Sequence, residues 1–383
     1  MRSHVDALVR EALTDAIEGG LFRVRTVPAY AVHAPADPAF GDLTCDVAMV
    51  LARQTGRSPY AIAGVLLDRL RDRGGWLDGV EVGGPGFVNF RFGSDFWRML
   101  LAEAVAAGRA FGRSGAGRGR PARVVSVGAA PGSGSSPTEG RRDVVADSVA
   151  RLLAASGWKV ERGTTAEPGQ GIPLALVHVA LADVDEHATS AAADPAVLRV
   201  VPVGDVRLTR AGEALPAAAV AWSDVVQEIG EDAARFFVLR GAAGDPVELD
   251  LEQARRGGAN SPLSRVRLAH DRLACVLHAA GAAGDEAAPH VDLALLGETE
   301  HEVLRLVVEW PDVVERAAHL LEPHHVVAHV LALAGAVHRY YNRHRMLIAD
   351  RARMPARLAL VRCARHVLGG ALDLCAVTTT GRM

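Results

Sequence analysis

The chain has 383 residues, 49% of them hydrophobic and 23% charged, with a formal net charge of -3. That balance suits a globular protein of about two or three domains, and it excludes a disordered chain or a uniformly basic coat protein for nucleic acid. No run reaches the roughly 18 uninterrupted apolar residues of a membrane span, and Arg2, His4, Asp6 and Arg10 open the chain in an amphipathic pattern unlike a signal peptide. A cytoplasmic protein with no membrane partner is therefore expected. The four cysteines, Cys45, Cys275, Cys363 and Cys375, form no CxxC pair and have no zinc-type histidine spacing; they read as small apolar residues, and no metal is expected.

In chain order, Val5, Leu8, Val9, Leu13 and Ile17 space out an amphipathic helix that stops at Gly19-Gly20. A second helix follows Phe40-Gly41-Asp42, with Val47, Val50 and Leu51 on one face, and a third starts at Ser58-Pro59 and carries Ile62, Val65, Leu66 and Leu70. Val80 to Phe92 alternates around Gly83-Gly84-Pro85-Gly86 as two strands joined by a turn. The Gly- and Arg-rich run from Gly112 to Pro121 reads as a linker. Beyond it, a strand at Val124 to Val127, a loop at Gly128 to Pro137 and a helix from Glu139 to Ser156 make the opening of a nucleotide-binding α/β unit. Leu174 to Leu181 and Val197 to Val203 are the only later candidates for parallel strands, so this sheet is small. From Ala221 onward the spacing is almost wholly helical, and a bundle of about four long helices is expected, built on Leu263 to Leu277, Val303 to Val308, Val326 to Val337 and Leu358 to Leu372.

Charge is unevenly spread. From Pro323 to Met383 nine Arg face only Asp350 and Asp373, the footprint of a phosphate-meeting surface. Within it, His338, Arg339, Tyr340, Tyr341, Arg343, His344 and Arg345 interleave bases with aromatics as RNA-stacking surfaces do; Tyr340 with His344 and Tyr341 with Arg345 share helical faces. The alternative is aromatic packing in the bundle beneath solvated arginines. Arg265, Arg267 and Arg272 on the first bundle helix read the same way, more weakly. Phe87, Asn89 and Phe90 divide between a hairpin core and an RNA contact, with Asn89 the favoured contact. His324, His325 and His329 have no acidic or Cys partner nearby in sequence and are not assigned to a metal. The loop Gly128 to Gly134 lacks a P-loop ending and a dinucleotide spacing. Lys159 is the only lysine in the chain.

Several stretches, in order, resemble bacterial class I arginyl-tRNA synthetases. Phe40-Gly41-Asp42-Leu43, Asp46-Val47-Ala48 and Gly84-Pro85-Gly86-Phe87-Val88-Asn89-Phe90 look like that family's extra N-terminal domain. Ile229 to Phe237 (IGEDAARFF), Ser261-Pro262, Ala269-His270, His338-Arg339-Tyr340-Tyr341-Asn342, Ala356 to Val361 and Arg382-Met383 look like its anticodon-binding end. The resemblance implies a fold of α/β plus all-α type: an N-terminal α/β tRNA-contact domain over residues 1–112, a reduced Rossmann-like core over 121–240 and an anticodon-binding helical domain over 241–383. It also implies tRNA as partner, by family an arginine-accepting one, with RNA contacts at Asn89, Arg265, Arg339, Tyr340, Tyr341, Arg343 and Arg345.

The resemblance sets a chemical standard that this sequence departs from. The family activates arginine with ATP through a His-x-Gly-His signature at a helix N-terminus, where N–H groups and imidazoles meet the phosphates. Alignment puts Ser136-Pro137-Thr138-Glu139 there: no histidine, one donor removed by proline, and a carboxylate where a triphosphate would approach. The Lys-Met-Ser-Lys signature falls either on Val206 to Arg210 or on Pro216 to Ala219, neither with a lysine. The 45 residues between Val160 and Val206 replace a much longer stretch of the family. No catalytic residue or bound ATP is therefore expected. The leading reading is a tRNA-binding paralogue without the ligase reaction; the alternatives are an active arginine-tRNA ligase with an atypical site, and a regulatory partner of a full-length synthetase.

Overall fold

The computed structural model describes every residue except 25, 36, 74, 128–133, 164–174, 182–196, 217–219, 257–260, 282–295, 344–351 and 380–383. It divides into two compact units, Met1–Glu103 with Pro289–Leu296, and Ala104–Ala288 with Gly297–Met383.

In the first unit, helix α1 (Arg2–Glu18) buries Val5, Leu8, Val9, Ala12, Leu13 and Ala16, the stripe that its spacing predicts. Strands β1 (Val32–His33) and β2 (Leu43–Cys45) precede α2 (Val47–Thr55) and α3 (Pro59–Arg73), and β3 (Leu77–Gly83), β4 (Phe87–Phe92) and α4 (Ser94–Ala107) follow. The sheet is antiparallel in the order β1-β2-β4-β3. Leu43, Cys45, Val80, Val88, Phe90 and Phe92 fill its inner face. β1 and β2 are too short for a period-two signal, which is why the sequence shows only the hairpin.

The second unit opens with β5 (Pro121–Ser126), α5 (Pro137–Ala155) and β6 (Lys159–Gly163), then β7 (Ala175–Leu181) and β8 (Val197–Val203). These strands are all parallel, in the order β6-β5-β7-β8. The order reverses between β5 and β7, the place where such sheets open a ligand crevice. The chain leaving the carboxyl ends of both strands, 128–133 and 182–196, is outside the described residues. β6 is an addition to the expected strands: its polar sequence gives no apolar period.

A second small sheet, β10-β9-β11, is made by β9 (Val206–Arg210), β10 (Glu213–Ala214) and β11 (Val247–Asp250), with β11 parallel to β9. Helices α6 (Trp222–Ile229) and α7 (Glu231–Val238) lie between β10 and β11 in sequence, and α8 (Leu251–Arg256) follows β11. Strand β11 is the one interruption, among the described residues, of the almost wholly helical stretch expected after Ala221. The bundle has α9 (Pro262–Ala279), α10 (Glu298–Val308), α11 (Trp310–Leu320), α12 (His324–Arg343) and α13 (Met354–Leu374). Among the described residues these are five helices where about four long ones were expected, because the helix is interrupted at Glu309 and starts again at Trp310-Pro311.

The expected linker is a packed strap. Ser114, Gly117 and Gly119 donate backbone N–H groups to the carbonyls of Ala155, Ser156 and Gly157 at 2.9, 2.7 and 2.8 Å, and the Arg120 carbonyl accepts from Lys159 N–H. A side chain at Gly117 would place its Cβ 2.6 Å from the Trp158 backbone nitrogen. The glycines serve close approach, which composition alone cannot separate from flexibility.

Candidate functional site

Helix α5 begins at Ser136 to Glu139, the segment that the sequence resemblance would set under the phosphate-binding signature, and donors of its first turn are already used. Ser136 is the N-cap and Pro137 the first helical residue. Ser136 N–H donates to Glu139 Oε2 at 2.7 Å, its hydroxyl to the same oxygen at 3.0 Å, and Glu139 N–H returns a bond to Ser136 Oγ at 3.3 Å. This reciprocal capping box uses the donors that an anion would need. The hydrogen bonds from Ser136, backbone first and then hydroxyl, hold the Glu139 carboxyl below the usual carboxylate range, so it stays charged. Thr138 Oγ1 accepts from Val206 N–H at 3.1 Å and is also committed.

Two features that the sequence did not reveal close this end further. The Trp222 indole lies on the first turn: a Cβ at Gly140 would sit 2.2 Å from it. Trp222 N–H donates to the Ser135 carbonyl at 2.8 Å. A cavity of about 470 Å³ beside it is lined by Asp143, Asp147, Glu231, Arg162, Arg235 and Trp222. Arg235 holds Asp147 and Glu231 at 3.3 Å each, and Asp143 pairs with Arg142 at 3.0 Å. Arg235 at this cavity, like Arg142, is thus already engaged by carboxylates of the chain, and an incoming phosphate would have to displace them. Behind this wall, Arg141 is fully buried and gives its donors to the carbonyls of Val238, Gly204, Asp245 and Ala242. An arginine in a helix reads as solvated in sequence, so only the fold shows this clamp.

The first of the two placements of the lysine signature, Val206 to Arg210, is strand β9, held between β10 and β11. Arg210 there pairs with Glu228 at 2.6 Å. A strand fixed on both edges is not a mobile phosphate-holding loop, which leaves Pro216 to Ala219; residues 217–219 are outside the described set, as is most of the Gly128 to Gly134 loop.

The bundle sorts the expected RNA contacts into three groups. Arg265, Tyr341 and Arg343 are exposed, and Arg339 is exposed and paired with Glu302. Tyr340 is corrected: it is 1% exposed, inside the bundle, with its hydroxyl donating to Glu300 Oε1 at 3.3 Å, because position 340 faces the core while 341 faces out. Asn89 is corrected likewise: it is 7% exposed and accepts from Thr44 Oγ1 at 2.7 Å across the β2–β4 pair. Arg345 and His344 lie outside the described residues, and so do the stacking pairs proposed with them.

A different partner meets Tyr341. The Arg272 guanidinium lies 4.8 Å from its ring centroid and donates to His338 Nδ1 at 3.0 Å, while His338 Nε2–H donates to the Arg265 carbonyl at 2.9 Å. The two bonds assign the imidazole tautomer. Burial, which outweighs the raising effect of the hydrogen bond to the Arg265 carbonyl, pushes its pKa down, and the Arg272 charge acts in the same direction. Arg272, Tyr341 and His338 form a preset cation-aromatic surface flanked by Arg265, a cross-helix pairing that sequence spacing cannot show. Arg267 instead ties the bundle to α7 through Asp232 and the Thr378 carbonyl.

The three histidines near the start of α12 are used internally. His329 Nε2–H donates to the Leu306 carbonyl at 2.8 Å, His324 meets Glu322 at 3.0 Å, and the His325 ring lies against His324. No helix among the described residues is long and apolar enough to cross a membrane.

Comparison with known proteins agrees with this arrangement at both ends of the chain. Residues 3–92 match the arginyl tRNA synthetase N terminal domain, and residues 266–383 match the DALR anticodon binding domain. The arginine–tRNA ligase of Nitratidesulfovibrio vulgaris is 25% identical over 524 residues, covering 92% of this chain and 95% of that protein. The arginine–tRNA ligase of Geobacter metallireducens is 23% identical over 563 residues, covering all of both. An alignment of 524 positions against 383 residues leaves at least 141 positions that this chain does not fill. The arginyl-tRNA synthetase of Thermus thermophilus superposes with a TM-score of 0.76 at 15% identity over the whole of both chains, a match of fold. With an N-terminal and an anticodon-binding domain in the right order at its two ends, the chain belongs to the arginyl-tRNA synthetase family.

Proposed function

We propose that this chain binds tRNA and does not activate arginine with ATP. The observation that carries the reading is the capping box at the start of α5. Ser136 and Glu139 satisfy each other where an active synthetase would present free N–H groups and histidines to phosphate, and Glu139 stays ionised there. The cavity alongside, whose Arg235 is already paired within the chain, and the missing lysines point the same way.

Binding of tRNA rests on the family's anticodon-binding domain and on the exposed Arg265, Arg272–Tyr341 and Arg343 surface. The partner is an arginine-accepting tRNA by family, held without reacting with it. The names of its relatives favour a second reading, an arginine–tRNA ligase working through an altered site.

ATP–pyrophosphate exchange with arginine and tRNA present separates the two. The expected result is no exchange above a control without protein, together with saturable tRNA binding on a filter at low salt. Exchange above the control would establish the second reading instead.

A further inference from the structure

A cavity of about 210 Å³ lies where the strap, the end of α5 and the bundle helices α11 and α13 meet. Arg109, Arg113 and Arg151 line it together with the apolar Trp310, Ala155 and Leu374, and among the described lining residues the one carboxylate is Asp373. α5 has 19 residues, so its length of roughly 28 Å, at 1.5 Å per residue, separates this cavity from the capping box at the other end.

The main chain fixes the turn that carries two of the arginines, and the third guanidinium is itself anchored. Phe111 N–H donates to the Gly108 carbonyl at 3.2 Å and Arg113 N–H to Ala110 at 2.9 Å, which fixes a tight turn carrying Arg109 and Arg113. Trp310 Nε1–H donates to the Phe111 carbonyl at 3.0 Å, and Gly112, at φ +90, lets the indole approach to where a Cβ would be only 2.3 Å away. Arg151 donates to the Asp373 carbonyl at 3.2 Å. It also reaches Asp147 at 3.5 Å, a carboxylate shared with Arg235 at 3.3 Å.

Two helices end at this cavity, and each C-terminus presents roughly half a negative charge. Together with Asp373 they account for about two of the three guanidinium charges, the share of Asp147 taken by Arg151 being offset by the positive N-terminus of α11 at Trp310, and the strap already bonds the Ala155 carbonyl at the end of α5. About one positive charge is left over, on planar forks that match phosphate oxygens. The volume is below the roughly 300–1,000 Å³ of a site that encloses a whole small molecule, so it admits one end of a ligand.

We propose that this cavity binds a phosphate monoester, either on a free nucleotide-sized molecule or at the 5′ end of an RNA strand. Arg109 and Arg113 grip the phosphate from the turn and Arg151 from α5; the apolar lining receives the carbon skeleton beside it.

The test is calorimetric titration of the full chain with inorganic phosphate, AMP, adenosine, and a short RNA with and without a 5′ phosphate. Phosphate and AMP are expected to bind saturably and adenosine not at all. R109A and R113A, both at exposed positions, should each weaken AMP binding about tenfold, and R113K should restore part of it. If the phosphorylated RNA binds more tightly than AMP, the strand end is the ligand; if the two are equal, the free ester is. The proposal is overturned if phosphate and AMP show no saturable binding, or if the arginine variants bind AMP as the parent does. A lowered melting temperature in R113A with AMP affinity unchanged would show that these arginines only offset the helix ends. The readout is independent of ATP–pyrophosphate exchange and of filter binding, so it stands or falls apart from the proposed function.

Discussion

The start of α5 and the outer face of α9 and α12 are both rich in charged groups, and they treat them in opposite ways. At α5 the charges meet inside the chain: Glu139 caps its own helix, Arg141 is consumed by four carbonyls, and Arg235 holds two carboxylates. On the bundle face Arg265 and Arg343 stand in solvent, and Arg272 lies over Tyr341. A site that must receive a charged ligand keeps its donors unspent, because any internal partner has to be displaced first. By that measure the start of α5 has its charged groups already engaged, while the outer bundle face keeps Arg265 and Arg343 in solvent.

The largest expected effect comes from the inner side of the same bundle. Glu300 is 1% exposed, pairs with the buried Arg357 at 2.5 Å, and accepts from Tyr340 and from the Gly297 N–H. Glu300→Ala strands a buried guanidinium and should cost about 3–5 kcal/mol in urea unfolding. A loss below about 1 kcal/mol, the range of exposed pairs, would mean that water reaches this pair and that inner and outer faces are not distinct.

Acid comes next. Burial pushes the His329 imidazole down to about 4, and burial together with His324 does the same to His325. The unfolded chain takes up these protons near pH 6.5, whereas the folded one refuses them until about pH 4. Stability from His329 is thus complete above about pH 6.5 and falls as pH drops toward 4, by up to roughly 3 kcal/mol. His329→Gln should flatten the melting temperature across that window; an unchanged slope would remove His329 as its source.

On the outer face, Tyr341→Ala should weaken tRNA binding by about 1–3 kcal/mol, the worth of one stacked base. Tyr340→Phe should leave binding intact and cost about 1 kcal/mol of stability. Arg343→Ala should flatten the salt dependence of binding by about one unit in log–log slope. Equal effects of the two tyrosine variants on binding would erase the distinction between buried and exposed neighbours.

The smallest effect is at the start of α5. Ser136→Ala removes a helix cap and should cost about 1 kcal/mol in thermal unfolding, with exchange still absent. Recovery of exchange in Ser136→Ala or Glu139→Gln would mean that the capping box alone, and not the whole site, holds the reaction off.

Much of the fold was legible where the signal is periodic. α1, α3 and the bundle helices follow apolar spacings of three and four, and α5 was marked by Ser136-Pro137 and its glutamate three residues after the cap. β6 and β11 were not legible: short, polar or half-exposed strands are defined by partners far away in sequence. The strap was misread because glycine has two opposite uses, freedom and close approach, and composition does not tell them apart.

Residue types and order along the chain thus determined the family likeness, the missing histidines and lysines, and the basic C-terminal end, since these are properties of local chemistry. Tertiary structure alone decided that Tyr340 is core while Tyr341 is surface, that Arg272 and not a helix neighbour covers Tyr341, and that Arg141 is a buried clamp. Those outcomes depend on which groups meet across helices and sheets, and burial and hydrogen-bond satisfaction are settled only when distant segments pack.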